Sequence, residues 1–174
     1  MMEGIEIVVK LMAIAAKTAP KTRGDDSILT KILLEDELKP LAESMIQYGE
    51  RTGKKNFDRD GRNVLKSGAV LLIGIKDGVT CGLDCGACGF PDCNTLMNQK
   101  PCEGEFRGPA CAFRLLDMGI ALGSAVKAAS DLNVDNRIMY RIGAVARDMR
   151  LVDWDFVMGI PLSVNAKNIY FDRK

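Results

Sequence analysis

The sequence contains no histidine, and its positive and negative charges almost cancel. Lys and Arg together number 24, against 23 Asp and Glu, so no net field attracts the chain to nucleic acid or to an anionic membrane. The absence of histidine removes the commonest zinc ligand and the side chain best suited to proton transfer near neutral pH. Any metal must therefore be held mainly by thiolates, and we expect no nucleic-acid partner.

Long apolar runs are also absent. The apolar segment 68–75 ends at Lys76, far short of the roughly 20 residues that cross a bilayer. The apolar run that begins at Ile5 is interrupted by Glu6 and Lys10 and follows no basic stretch, so it is not typical of a secretion signal. We expect a cytoplasmic protein without a membrane partner.

Length and composition predict a single domain over residues 1–174. Of the 174 residues, 47% are hydrophobic, 27% are charged and only 6% are aromatic, and a chain of this size can bury a core without disulfides. In a reducing cytoplasm, clustered cysteines more often bind metal than form disulfides.

All six cysteines lie in the segment 81–111, which we treat as the metal-binding segment. Cys85, Cys88 and Cys93 form a C-x2-C-x4-C motif interleaved with glycine and proline, which lets the backbone fold tightly around a compact object. A [4Fe-4S] cluster usually takes three thiolates from such a local loop and a fourth from farther along the chain. The motif therefore favours an iron-sulfur site.

The fourth ligand could be Cys102 or Cys111. We expect Cys111, because it follows Pro109 by two residues in the first turn of a predicted helix, where free N–H groups and the positive helix end stabilise a thiolate. Cys102 stands beside Glu103 and near Glu105, whose charges would oppose further negative charge. Cys81 and Cys102 are then spare, second-cluster or redox thiols.

Zinc and disulfides are the two alternatives for these cysteines. Four-cysteine structural zinc sites usually contain two C-x2-C pairs, whereas only Cys85 and Cys88 make one here. Disulfides are disfavoured by the expected compartment and by the size of the chain.

Apolar periodicity predicts an α/β or α+β fold, with a small central sheet flanked by helices and the cysteine segment as an inserted loop. We expect helices over 3–19, 26–34, 38–46, 109–130 and 136–149, strands over 69–76 and 156–164, and a loop over 49–63. The first strand is apolar throughout and should be central, with both faces buried. The second should be stopped, or made an edge, by Pro161.

Four further features of the sequence lead to predictions. The loop after the first helix holds Lys21 and Arg23 and is either a solvated loop, which we favour, or a phosphate-binding loop. The helix 109–130 contains many small residues, which predicts close packing against another backbone. Arg137 and Arg141 lie one turn apart and predict a solvated basic stripe. The apolar residues 169–171 predict a chain end docked on its own core or on a partner subunit.

Two cysteine-rich families resemble this sequence. The segment from Leu83 to Cys93 resembles the cysteine loop of the four-iron cluster domains in corrinoid iron-sulfur proteins and electron-transport subunits, where a fourth cysteine follows at a spacing close to that of Cys111. The segments 18–21, 84–90, 108–113, 117–124, 134–140, 159–163 and 167–173 are together similar to the uncharacterised prokaryotic ferredoxin domain-containing proteins. This second resemblance spans nearly the whole chain and identifies a family but no activity.

The order of elements also resembles that of the nitroreductase-like flavoproteins. This resemblance implies a homodimer with flavin mononucleotide (FMN) at the subunit interface, and Lys21, Arg23 and Arg173 become candidates for its phosphate.

These patterns lead us to expect a [4Fe-4S] protein that acts in one-electron transfer, ligated by Cys85, Cys88, Cys93 and Cys111. Its partner would be a redox protein or a small-molecule electron acceptor. One alternative is an FMN-dependent oxidoreductase fed by the cluster, and another is a non-enzymatic structural or sensor module that holds zinc or a cluster.

Overall fold

A computed structural model describes residues 2–171. A four-stranded antiparallel sheet lies between two layers of helices, which confirms the predicted mixed α/β class. The helices are α1 (Met2–Thr18), α2 (Leu38–Thr52), α3 (Phe57–Leu65), α4 (Cys93–Met97), α5 (Ala112–Asp131) and α6 (Tyr140–Asp148). The strands are β1 (Leu29–Leu34), β2 (Ala69–Ile75), β3 (Cys102–Glu103), β4 (Arg107–Gly108), β5 (Asp135–Asn136) and β6 (Phe156–Ser163).

The strand β2 is central and buried on both faces, as its continuous apolar sequence predicts. The sheet order is β1-β2-β6-β5, and β3 pairs with β4 in a separate small sheet. Because side chains alternate across a strand, Leu71 and Ile73 enter the core beneath α1 and α5, whereas Val70 and Leu72 enter the core beneath α2, α3 and α6.

The predicted helix 26–34 is wrong, because this segment contains β1. All six residues of β1 pair with β2, from Leu29 opposite Gly74 to Leu34 opposite Ala69. The short apolar sequence of residues 32–34 suits either a helix or a strand, and the pairing with β2 decides the outcome.

The predicted loop 49–63 is also wrong. The helix α2 continues to Thr52, Gly53 follows it at a left-handed φ of 70°, and α3 begins at Phe57. Gly61 lies within α3, where an added Cβ would come within 2.8 Å of the Ala42 carbonyl oxygen. This glycine allows two helices to approach closely and does not form a turn.

The carboxyl-terminal third follows the prediction with shifted boundaries. The helix α6 begins four residues later than expected, because Asp135 and Asn136 pair with β6 instead of opening the helix. Pro161 neither stops β6 nor makes it an edge: it lies opposite Val70 of β2, and β5 pairs with the two residues that follow it.

The chain end docks on its own core through Tyr170. Its side chain is 1% exposed, and its hydroxyl lies 2.8 Å from Ser67 Oγ. Arg137 donates to the Tyr170 carbonyl oxygen, and Arg141 pairs with buried Asp60 at 2.9 Å. The predicted solvated arginine stripe is therefore wrong, because both side chains hold elements together.

The small residues of α5 fall on two faces. Ala121, Ala125 and Ala129 are buried in the core shared with α1, whereas Gly119 and Gly123 face outward and are exposed. None of the described helices is long and apolar enough to cross a membrane.

Candidate metal centre

The cysteine segment leaves the end of β2 through a tight turn and returns at the start of α5. Asp77 and Gly78 both have positive φ in this turn, as do Gly82, Gly86 and Gly89 farther along. Glycine reaches such backbone angles without strain, so the glycines interleaved with the cysteines allow the chain to reverse direction repeatedly within this segment.

Two aspartates order the middle of the segment. Asp84, itself at a φ of 47°, accepts the Cys93 N–H at 2.8 Å. Asp92 caps α4 by accepting the Thr95 N–H at 2.7 Å, and this contact holds the pKa of Asp92 below its ordinary value. Cys93 is the first residue of α4, so both aspartates fix its position.

The three cysteines of the motif lie towards the surface. Cys85 is exposed, whereas Cys88 and Cys93 are half-buried. Cys88 packs against a small buried cluster formed by Cys81, Leu96 and Cys111. The fold therefore packs one cysteine of the motif against the cluster that contains the predicted fourth ligand.

Cys111 occupies the N-cap position of the 20-residue helix α5 and is buried. Burial alone raises the pKa of its thiol, but hydrogen bonds from the backbone N–H groups of Arg114, Cys81 and Phe113 outweigh burial, so the pKa lies below its ordinary value. The positive end of the helix acts in the same direction. This environment favours a thiolate, as the sequence predicts.

Cys81 is the neighbour of Cys111 that sequence reasoning missed. It is 3% exposed, and burial together with the adjacent Cys111 raises the pKa of its thiol to about 11. The pKa of the Cys81 thiol is therefore raised while that of its neighbour Cys111 is lowered. No local pattern links two cysteines that lie thirty positions apart, so only the fold reveals this pair.

Cys102 lies apart from this buried cluster. It is exposed in β3, and the acids beside it are neutralised: Glu103 pairs with Arg107 and Arg147, and Glu105 pairs with Lys54. The expected charge repulsion at Cys102 is therefore wrong. Its position, outside the cluster around Cys111, is the better reason to set it aside.

The thiols suit a [4Fe-4S] cluster in type, number and local backbone, but they do not converge. Among residues 2–171, no three Cys, Asp or Glu side chains meet in a group that could hold a metal ion, and all six cysteines are free thiols. The choice of Cys85, Cys88, Cys93 and Cys111 as ligands stays a prediction.

A buried arginine ties the start of the cysteine segment to the loop after α1. Arg114 is 2% exposed and donates to the Thr80 carbonyl oxygen at 3.2 Å, to Asp25 at 2.6 Å and to Asp117 at 3.1 Å. Its positive charge lies close enough to Cys81 to oppose the rise in the pKa of that thiol. The site thus contains one buried cation beside its two buried thiols.

Lys21 and Arg23, two of the candidates for binding a phosphate, both donate hydrogen bonds to backbone carbonyl oxygens. The Lys21 ammonium donates to the carbonyl oxygens of Ala16, Lys17 and Ala19 at the end of α1, and burial lowers its pKa. Arg23, at a left-handed φ of 63°, donates to the Cys81 carbonyl oxygen at 3.2 Å. Arg173 lies outside the described residues.

A cavity of about 260 Å³ adjoins the cysteine segment. Its lining includes the apolar side chains of Leu96, Met97 and Pro109 and the charged side chains of Arg107 and Asp155. Because Leu96 also belongs to the buried cysteine cluster, a small molecule in this cavity would lie next to the candidate metal centre.

A family model and a sequence relative both match this chain. Residues 107–173 match the family described as "uncharacterized protein containing a ferredoxin domain (DUF2148)". The chain is 46% identical over 171 residues to an uncharacterized protein of Archaeoglobus fulgidus, which covers 98% of this chain and 92% of the relative.

Solved structures with a similar fold include several nitroreductases. Nitroreductase CinD from Lactococcus lactis, in complex with chloramphenicol, has a TM-score of 0.62 and 14% identity over 93% of this chain and 79% of CinD. The Saccharomyces cerevisiae nitroreductase has a TM-score of 0.57 and 13% identity, over 94% of this chain and 83% of that protein. The FMN-dependent nitroreductase NfnB from Mycobacterium smegmatis, in complex with NADPH, has a TM-score of 0.55 and 12% identity, over 92% and 78%.

At these low identities the solved structures show a shared fold only. The 46% identity to the Archaeoglobus fulgidus protein shows that the two belong to one family. The chain therefore belongs to the family of ferredoxin domain-containing proteins, and its fold is nitroreductase-like.

Proposed function

We propose that this protein is a cytoplasmic iron-sulfur protein that transfers single electrons, with a [4Fe-4S] cluster held by Cys85, Cys88, Cys93 and Cys111. The observation that carries the proposal is the position of Cys111: a buried sulfur at the N-cap of the 20-residue helix α5, in one buried cluster with Cys81 against which Cys88 packs. The thiolate is the form of cysteine that binds a metal, whereas a structural disulfide does not require a stabilised thiolate. The ferredoxin-domain family supports the same reading.

The surrounding residues have distinct roles in this proposal. The positive end of α5 and the neighbouring Cys81 thiol stabilise negative charge on the ligating sulfur, and the polar surroundings of the sulfurs tune a cluster's potential. Arg114 supplies a buried positive charge nearby. When bound, a [4Fe-4S] cluster supplies reversible one-electron transfer.

The exposed side of the site suits electron exchange with a partner. Cys85 is exposed, so a redox protein could approach that edge directly. The 260 Å³ cavity beside Leu96 offers a small-molecule acceptor a second approach.

Anaerobic reduction tests the electron-transfer proposal. Protein reduced with dithionite should give the paramagnetic resonance signal of a reduced cluster, and it should return one electron per chain to a viologen or cytochrome acceptor. Cys102→Ser protein is the matched control and should behave like the native protein. A colourless protein with one zinc per chain and no paramagnetic signal would instead support the structural or sensor module.

An FMN-dependent oxidoreductase fed by the cluster is the second candidate, and the nitroreductase-like fold favours it. NfnB, which shares this fold, is FMN-dependent. Lys21 and Arg23 would bind the flavin phosphate only after giving up their present bonds to backbone carbonyl oxygens, which ranks this candidate second. A flavin released by acid from the purified protein would support it, provided that Lys21→Met reduces the flavin content and Lys10→Met does not.

A further inference from the structure

The cavity beside the cysteine segment is lined by a buried carboxylate that keeps unused hydrogen-bonding capacity. Asp155 lines this cavity and is 5% exposed. Its Oδ2 accepts the Gly78 N–H at 2.8 Å, and its Oδ1 accepts a longer contact of 3.3 Å from Arg107 Nη1. These are the two donors that the described part of the chain supplies, whereas a carboxylate has about four acceptor positions. About two acceptor positions therefore remain for a ligand.

The backbone of Asp155 is held by two other segments. Its N–H donates to the Ile75 carbonyl oxygen at the end of β2, and its carbonyl oxygen accepts the Arg107 N–H, each at 2.8 Å. The Gly78 contact fixes the side chain as well. A group that is already in place loses little conformational freedom when a ligand binds. The carboxylate is therefore a pre-organised acceptor.

Arg107 adds hydrogen-bond donors next to this acceptor. It also lines the cavity, and its guanidinium donates from Nε to Glu103 and from Nη1 to Asp155. A guanidinium carries five N–H donors, so about three are left over by these two contacts. The cavity thus has a donor group and an acceptor group 3.3 Å apart, which suits a ligand whose own donors and acceptor lie side by side.

Much of the remaining lining suits the faces of a flat ring. It includes the apolar side chains of Leu96, Met97, Pro101 and Pro109, and an apolar lining with a few polar groups is typical of small-molecule sites. The volume of about 260 Å³ lies just below the range of about 300–1,000 Å³ for drug-sized ligands. The cavity therefore suits a ligand of one or two fused rings and is too small to enclose a whole nucleotide coenzyme.

From these observations we infer that the cavity binds a flat heterocycle that carries an amino group, a ring N–H and a carbonyl oxygen in a row, as pterins and guanine do. The amino group and the ring N–H match the open acceptor positions of Asp155, and the carbonyl oxygen matches the guanidinium of Arg107. Asp77 also lines the cavity, so its charged side chains are two acids and one base. This balance disfavours an anionic ligand. Binding of the heterocycle requires no cluster and goes beyond the proposed electron transfer.

Fluorescence titration of the full chain with pterin, in the presence of a thiol reductant, tests this inference. Pterin should bind at one site per chain with a dissociation constant below about 100 μM. Lumazine, which has a carbonyl oxygen in place of the amino group of pterin, should bind at least about tenfold more weakly, because it offers Asp155 one donor fewer. Competition by guanosine distinguishes the two sources: displacement of pterin by less than one equivalent of guanosine identifies a guanine site, and weaker competition identifies a pterin site.

Three variants locate the binding to this cavity. Asp155→Asn keeps the size of the side chain and an oxygen for the Gly78 N–H, but it should weaken pterin binding more than about tenfold. Asp153→Asn, at a carboxylate 75% exposed two positions away, is the matched control and should bind pterin like the native chain.

Met97→Asp keeps the test decisive if Asp155→Asn does not fold. Met97 lines the cavity and is 62% exposed, so this change should weaken pterin binding and leave the melting temperature unchanged. The iron content of the protein should not change in this variant, which separates the cavity from the proposed cluster. A native chain that binds neither pterin nor guanosine at about 1 mM, that binds lumazine as tightly as pterin, or that keeps its affinity for pterin in Met97→Asp and in folded Asp155→Asn would overturn the inference.

Discussion

Arg114 and Asp117 lie one turn apart on α5 and form an ion pair of 3.1 Å in which both side chains are almost fully buried. Asp117 also accepts the backbone N–H and the hydroxyl of Thr22, at 2.8 and 2.9 Å. Arg114 reaches Asp25 on the same loop. This pair therefore fastens the loop after α1 to the helix that carries Cys111.

Breaking the pair should be costly. Asp117→Ala leaves a buried guanidinium without its closest buried partner, which should lower the free energy of unfolding by about 3 kcal/mol in a urea titration. Asp131→Ala removes the exposed pair with Lys127 on the same helix and should cost less than about 1 kcal/mol. Equal costs for the two variants would show that the buried pair does not stabilise the loop.

A glycine at the contact between α6 and β6 gives a second prediction. An added Cβ at Gly143 would lie 1.8 Å from the Val157 carbonyl oxygen, so Gly143→Ala should force the helix from the sheet and lower the melting temperature. Gly4→Ala, in α1 with no described atom within 4 Å of an added Cβ, should instead gain up to about 1 kcal/mol from helix propensity. A tolerated Gly143→Ala would contradict the packing of α6 on β6.

The sequence predicts those features that depend on local pattern. The continuous apolar run of β2 gives a central strand. The spacing of Cys85, Cys88 and Cys93 predicts a metal-binding loop, and that stays a prediction. The assignment of β1 failed because its short apolar sequence fits two structures until β2 pairs with it. The Cys81–Cys111 contact and the Arg114–Asp117–Asp25 network join residues far apart in the chain, and no local periodicity predicts such contacts.

Burial of Tyr170 should make the folded protein less stable at strongly alkaline pH. Burial raises the pKa of Tyr170 to about 12, and an unfolded tyrosine titrates near about 10. Its stabilising effect is fully present below about pH 10 and is lost as the pH rises towards 12. Tyr170→Phe should be less stable at pH 8, because it lacks the hydroxyl contact with Ser67, but its unfolding free energy should fall less between pH 10 and 12. Parallel curves for the two proteins would contradict this prediction.

Single cysteine variants distinguish the ligands from their neighbours. Cys111→Ser should lose most bound iron after anaerobic reconstitution, whereas Cys102→Ser should keep it. Cys81→Ala should keep its iron but show a lower reduction potential, because the Cys111 sulfur loses the polar thiol that lies in the same buried cluster. Loss of iron in Cys102→Ser alone would show that Cys102, not Cys111, is the fourth ligand.

The most direct test of the central claim is the iron, sulfide, zinc and flavin content of one anaerobic preparation. The account predicts brown protein with about four iron and four sulfide per chain and no stoichiometric zinc. Colourless protein that holds zinc and no iron would contradict it.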